Sequence, residues 1–196
     1  MVAIVKYNAG NIRSVLCALR RLDVDATVTD DPSALRSADH VIFPGVGEAS
    51  TAMSYLRAAG LDTVLTDLTQ PFLGICLGMQ LMCAFSEEHD TPCLGMFDAS
   101  VRRFPSGTGD KIPHMGWNTI SGFDDPLFAG IARESYVYFV HSYYAPLCAG
   151  TIATCTYADT SFSCALRKDN FRGVQFHPEK SGPVGERILR NFLAIR

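Results

Sequence analysis

Residues 71–85 read PFLGICLGMQLMCAF. The opening PFLGI is a short apolar run, as a buried strand is, and from Leu77 to Ser86 the pattern is that of an apolar helix. Between them stands Cys76, with Gly74 two places before it and Gly78 two places after. That spacing is a nucleophile elbow, a sharp strand-to-helix turn with a reactive side chain at its tip. Small residues are needed on both sides because the flanks press against the strand and the helix. A cysteine at a helix N-terminus meets free N–H groups and a dipole that favour its thiolate. The Leu77 N–H points to where a tetrahedral oxyanion forms, which is one half of an oxyanion hole. The stretch also fits an inert buried cysteine between packing glycines. A base decides between the two.

Upstream of the elbow, strands and helices alternate. Val2–Val5 reads as a strand, and Ile12, Val15, Leu16, Leu19 and Leu22 recur at helical spacing. Ala26–Thr29 and HVIF at 40–43 are further strands; Pro32–Ser37, 48–59 and 61–69 read as helices. Such alternation predicts βαβ units and a mostly parallel central sheet with helices on both faces. From residue 96 the texture changes to FDASVRRF, HMGWNTI, SYVYFVHSYY, GTIATCTY and SFSCALRK, consecutive strand-like runs, before a last helix over 183–193. The expected architecture is one α/β domain over residues 1–196, with a strand-rich, partly antiparallel C-terminal half.

Bulk composition narrows the function classes. The chain has 196 residues, 47% apolar and 19% charged, enough for a sizeable core. A formal net charge of −3 supplies no global field for nucleic acid or anionic lipid, so neither is expected as a partner. Seven cysteines with no C-x-x-C pair predict reduced thiols, a cytoplasmic setting and no structural zinc. The start, MVAIVKYN, lacks the pattern of a signal peptide, and the apolar run around residues 71–85 is too short to span a bilayer.

The candidate base lies in GVQFHPEKSG. Val174 to His177 should be extended, and Pro178 biases His177 the same way. Residues two apart then share a side, so Glu179 can hold one ring nitrogen while the other takes the thiol proton. Cys76, His177 and Glu179 become nucleophile, base and orienter. FPGVGEA, residues 43–49, is the candidate source of the second oxyanion donor, since Gly45 and Gly47 can turn a backbone N–H into a site unobstructed. His141 is expected to be a sheet histidine with its ring tied up.

Taken together, GICLGMQ, FPGVG and FHPE resemble the class I (triad) glutamine amidotransferases, over essentially the whole chain. FPGVGEAS, KIPHMGWN, FVHSYY and FHPEKSG, in that order, resemble the glutaminase subunits of imidazole glycerol phosphate synthases within that family. The resemblance implies hydrolysis of glutamine through a thioester on Cys76, without a cofactor or metal. It places oxyanion donors at Gly47 and Leu77 and substrate contacts at Gly45, Gln80, Ser142 and Tyr143. It further implies a partner, a (β/α)8-barrel cyclase that consumes the ammonia, facing Met115, Trp117, Asn118, Tyr138 and Lys180. The family usually has Asp-Tyr-Gly before the first helix; here the stretch is Lys6-Tyr7-Asn8-Ala9-Gly10-Asn11, changed in charge and one glycine short, with Tyr7, Gly10 and Asn11 still matching. With the triad elsewhere, that change is expected to touch local contacts only.

Overall fold

The computed structural model describes residues 1–8, 11–107 and 109–196. The expected turn at Asn8-Ala9-Gly10 therefore lies partly outside the described residues. The N-terminal half alternates as the sequence predicts: β1 (Val2–Val5), α1 (Ile12–Arg21), β2 (Ala26–Thr29), α2 (Pro32–Ser37), β3 (His40–Gly45), α3 (Ala49–Ala58), α4 (Leu61–Thr66) and β4 (Phe72–Cys76). After the elbow come α5 (Leu77–Met82), β5 (Cys83–Ser86), β6 (Thr91–Pro92) and β7 (Phe97–Arg103). The chain continues through β8 (His114–Ile120), β9 (Ser135–His141), β10 (Tyr143–Pro146), β11 (Thr151–Tyr157), β12 (Thr160–Lys168), β13 (Phe171–Val174) and α6 (Gly182–Ala194).

Eleven strands make one sheet in the order β2-β1-β3-β4-β13-β12-β10-β7-β5-β6, with β11 also on β12. β1, β2, β3, β4 and β13 run parallel to their neighbours in that block, whereas β12 pairs antiparallel with β10, β11 and β13. β1, β3 and β4 read as near-continuous apolar runs because both their faces are covered, whereas β2 at the edge stays partly exposed. Ile4, Ile42, Leu73 and Ile75 pack on the side of α1 and α6, against Val15, Leu19, Ile188 and Phe192. Ala3, Val5, Val41, Phe43 and Phe72 pack on the other, against Leu35, Leu56, Leu65 and Leu81.

One helix is shorter than the sequence predicts. The expected helix over 77–86 ends at Met82, and Cys83–Ser86 are strand β5, pairing parallel with β7 and antiparallel with β6. The apolar run carries no stop signal for a helix; the free edge of β7 decides its second half, since tertiary pairing outweighs local propensity. The consequence is a six-residue α5 with the Cys76 turn at one end.

β8 and β9 form a separate antiparallel hairpin in regular register, His114 opposite His141 through Ile120 opposite Ser135. Alternation puts His114, Asn118, Val137, Phe139 and His141 on its inner face. Met115, Trp117, Tyr136 and Tyr138 lie on its outer face, and the first three are more than half exposed. Among the described residues, no helix is long and apolar enough to cross a membrane.

Candidate active site

The elbow forms as its spacing requires. Cys76 adopts φ 53°, ψ −110°, a left-side conformation that costs a non-glycine residue about 1–3 kcal/mol. The flanking glycines make the turn possible. A Cβ on Gly78 would stand 1.8 Å from the Phe43 carbonyl oxygen, and one on Gly74 2.9 Å from the Met79 nitrogen. Helix α5 thus lies directly on the ends of β3 and β4, and packing on both sides holds the strained cysteine in place.

His177 arrives at this turn just past the end of β13, which is hydrogen-bonded beside β4, so the parallel register brings base and nucleophile together. Its Nδ1 meets Glu179 Oε1 at 2.7 Å, and neither side chain is exposed. Among the described residues, its Nε2 has no hydrogen-bond partner. Burial alone would disfavour the imidazolium, but the charge of Cys76 and that of Glu179 outweigh it and push the His177 pKa up to about 10. The backbone holds the ring in place: His177 N–H donates to Tyr138 O at 2.9 Å, and Ser181 Oγ–H donates to His177 O at 2.6 Å.

A cavity of about 310 Å³ opens in front of Cys76, at the small end of ligand pockets and suited to an amino-acid-sized guest. Val46, Gly47, Leu77, Gln80, Glu88, Ser142 and Tyr143 line it. Gly47 (φ 132°) and Leu77 therefore stand where the oxyanion donors are expected. Gly45 does not reach the cavity. It is buried opposite Cys76 in the β3–β4 ladder, and a Cβ there would collide with the Tyr7 hydroxyl at 2.2 Å. Its glycine is explained by packing, not by substrate contact.

Gln80 is held by both its hydrogens, donating to Tyr143 O and to Gln175 Oε1, each at 2.9 Å. Only its carbonyl oxygen remains for a guest. Tyr143 O also accepts from His141 Nδ1 at 2.7 Å, so its lone pairs are filled and it has none for an ammonium group.

Several participants are absent from the sequence-based expectation. Glu88 lines the cavity and accepts the Ala49 N–H at 2.8 Å; burial raises its pKa above the ordinary value. It is the carboxylate best placed for a cationic end of a guest, and as one of three acids in the run SEEHD it carries no signal of that. Gln175 Nε2 donates to Cys76 Sγ at 3.7 Å; it stands two residues before His177, so the period-two argument that paired His177 with Glu179 could have found it. Tyr7 is buried and donates to Pro44 O at 2.7 Å, with its phenol pushed well up by burial and the charge of Cys76.

Asn11 adds a contact that the sequence did not assign. Its amide donates to Glu179 Oε1 and lies 3.4 Å from His177 Nδ1. The stretch before α1 thus reaches the triad through a position that keeps the family's residue. Asn11 begins α1 in a left-handed conformation with no capping bond, which leaves its side chain free to reach the acid. Of the residues expected to face a partner, Met115, Trp117 and Tyr138 share the hairpin's outer face, and Lys180 Nζ sits 5.9 Å above the Tyr138 ring. Asn118 points the other way, donating to Thr156 O at 3.0 Å.

A cysteine elbow, a buried His–Glu pair and a small cavity at the ends of parallel strands define a thiol amidohydrolase. Residues 4–195 match the family described as glutamine amidotransferase class-I, and the chain belongs to that family. It is 60% identical over 195 residues to the imidazole glycerol phosphate synthase subunit HisH of Bacteroides thetaiotaomicron, covering 99% of each chain. It is 48% identical over 197 residues to the subunit of the same name from Shewanella sediminis, covering 98% of this chain and 89% of that one. In fold it is similar to a crystallised glutamine amidotransferase (TM-score 0.76, 21% identity, 99% and 98% of the two chains). It is likewise similar to PurLQS from Thermotoga maritima (TM-score 0.68, 16% identity, 98% and 97%).

Proposed function

We propose that this chain is the single-domain glutaminase subunit of an imidazole glycerol phosphate synthase, serving histidine biosynthesis in the cytoplasm. The observation that carries it is the assembled triad, with His177 Nε2 free of any other partner beside Cys76. The thiol proton passes to His177 Nε2 and Sγ attacks the side-chain amide carbon of glutamine. The N–H groups of Leu77 and Gly47 receive the oxyanion. As the intermediate collapses, His177 returns the proton to the departing nitrogen and ammonia leaves a glutamyl thioester. His177 then takes a proton from water, the hydroxide cleaves the thioester, and glutamate leaves with the thiol restored. Glu88 meets the α-ammonium of glutamine across the cavity.

Ammonia is mostly protonated at neutral pH, so a glutaminase that feeds a synthesis works beside an acceptor enzyme. The proposed acceptor is a (β/α)8-barrel cyclase bound as a heterodimer to the exposed face of Met115, Trp117, Tyr136 and Tyr138, with Lys180 at its edge. Exposed aromatic and methionine side chains of this kind are enriched at interface centres. The backbone of Tyr138 holds the His177 N–H, which places that face one residue from the base. A binding subunit that had lost its activity is the poorer reading, because Cys76, His177 and Glu179 are all present and His177 is paired with Glu179. The test measures glutamate release from glutamine by wild type and Cys76→Ala, with the cyclase subunit and its nucleotide present. Release by the wild type alone supports the proposal, and equal rates would end it.

A further inference from the structure

The hairpin's inner face carries a second pair of histidines that the hydrolytic steps do not use. His114 Nδ1 and His141 Nε2 are 3.0 Å apart, and His141 Nδ1 is 2.7 Å from Tyr143 O. The hydrogens of this array can be assigned by elimination. A carbonyl only accepts, so His141 carries its proton on Nδ1. Both rings are buried and neutral, with pKa values pushed down by burial to about 4 for His114 and about 3 for His141. His141 Nε2 is therefore an acceptor, and His114 must carry its proton on Nδ1 to donate to it. His114 Nε2 in turn accepts from Asn118 Nδ2 at 3.3 Å.

The result is a one-way series of donors, from Asn118 to His114, to His141, to the Tyr143 carbonyl. That carbonyl also receives Gln80, which bonds Gln175, which bonds Cys76 Sγ. Two donors meet at Tyr143 O, so no proton can travel the whole length; the array positions groups and does not conduct. The His114 ring is fixed on both faces, stacked on Tyr157 at 3.9 Å and on Phe139 at 4.7 Å.

We propose that His114 is a positioning residue for glutamine hydrolysis: its Nδ1–H, acting with the Tyr143 carbonyl, holds the His141 tautomer and ring pose that pin the Ser142–Tyr143 segment of the cavity and, through Gln80, the substrate side of the thiol. The inference rests on the glutaminase function proposed above. Without the His114 donor, His141 Nε2 is a buried acceptor with nothing to accept, and the Tyr143 carbonyl alone opposes a move of the hydrogen to Nε2, the commoner form of imidazole in water. Tyr143 O then loses one of its two donors, and the cavity wall is held by Gln80 alone.

Two measurements test this. Nitrogen-15 NMR of the ring nitrogens reads the tautomers in the wild-type chain without any substrate. Nδ1–H forms at both His114 and His141 are expected, and an Nε2–H form at His141 would overturn the proposal. Steady-state glutaminase kinetics in the complex with the cyclase subunit then compare His114→Phe, which keeps a ring in the stack, with His114→Asn, whose amide nitrogen stands near Nδ1. His114→Phe should raise KM for glutamine about tenfold with a smaller change in kcat and shift His141 toward Nε2–H; His114→Asn should recover most of the loss. A His114→Phe enzyme with wild-type KM, or an equal defect in both variants, would show that the ring only packs. If the wild type released no glutamate, the proposed function would fail, while the tautomer measurement would still judge the geometry.

Discussion

His177 and His141 are both buried in one site, yet their proton affinities are driven apart. Burial disfavours the charged form of each ring. His177 faces two acids, Cys76 at one nitrogen and Glu179 at the other, and is pushed up to about 10. His141 faces a carbonyl at one nitrogen and a second imidazole at the other, and is pushed down to about 3. Burial is common to both, so the partner at each ring nitrogen assigns the role. The first ring handles protons; the second is a fixed donor. Removing those partners one at a time is the way to test the contrast.

The largest effect belongs to Cys76→Ser. It removes the nucleophile and the strongest influence holding His177 protonated, so glutamate release should fall by about 10⁴-fold or more. In the same variant the His177 resonances should titrate several pH units lower than in wild type, because burial then acts against Glu179 alone. A His177 titration unchanged by the substitution would show that the two groups do not form the charged pair described here.

Glu179→Gln removes the other acid and should lower kcat by about 10²–10⁴-fold, the range for losing the carboxylate of a triad. An amide can donate to Nδ1 as well as accept from it, so the proton of the ring is no longer held on that side. Asn11, which donates to the same carboxylate, should cost less when cut to alanine: about 1 kcal/mol, or about fivefold in kcat. Between these falls Glu88→Gln. It leaves the thiol and both rings alone and removes a charged contact worth about 1.5–3 kcal/mol, so KM for glutamine should rise about 10- to 100-fold with kcat little changed. A fall in kcat without a change in KM would move Glu88 out of the substrate contact.

What could be read from residues alone follows a physical divide. The elbow is local: two glycines at fixed spacing, an apolar strand before and a helix after specify Cys76 within a few residues. His177 and Glu179 are legible as a pair because they are close in sequence, although the reason differs from the expected one: the strand ends at Val174 and Pro178–Lys180 turn as a 3-10 helix, which brings the acid back to the ring. Asn11 and Glu88 were invisible because each acts across about 40 to 170 positions of chain, Asn11 on Glu179 and Glu88 on Ala49. The end of α5 was misjudged for the same reason, since the edge of β7 converts Cys83–Ser86 to strand. Gly45 shows the reverse error: a glycine in a motif was assigned to the cavity when its contact is the Tyr7 hydroxyl behind it.

The smallest expected effect is on stability, and it divides by sign. His177 has a folded pKa of about 10 against an ordinary 6.5, so the folded state binds its proton more tightly. Its contribution is fully present below pH 6.5 and is lost as pH rises through about 10. His114 and His141 have folded values of about 4 and about 3, so the unfolded chain binds their protons more tightly. Their contribution is present above pH 6.5 and is lost as pH falls toward 4 and then 3. Each ring contributes at most about 1.4 kcal/mol per pH unit within its window. Urea unfolding across pH should therefore show an acid limb from the neutral pair and an alkaline limb from the charged one. Cys76→Ser should flatten the alkaline limb and spare the acid limb; His114→Asn should reduce the acid limb and spare the alkaline one. Both limbs moving together in either variant would mean that the two rings share one electrostatic environment, and the division of labour between them would not stand.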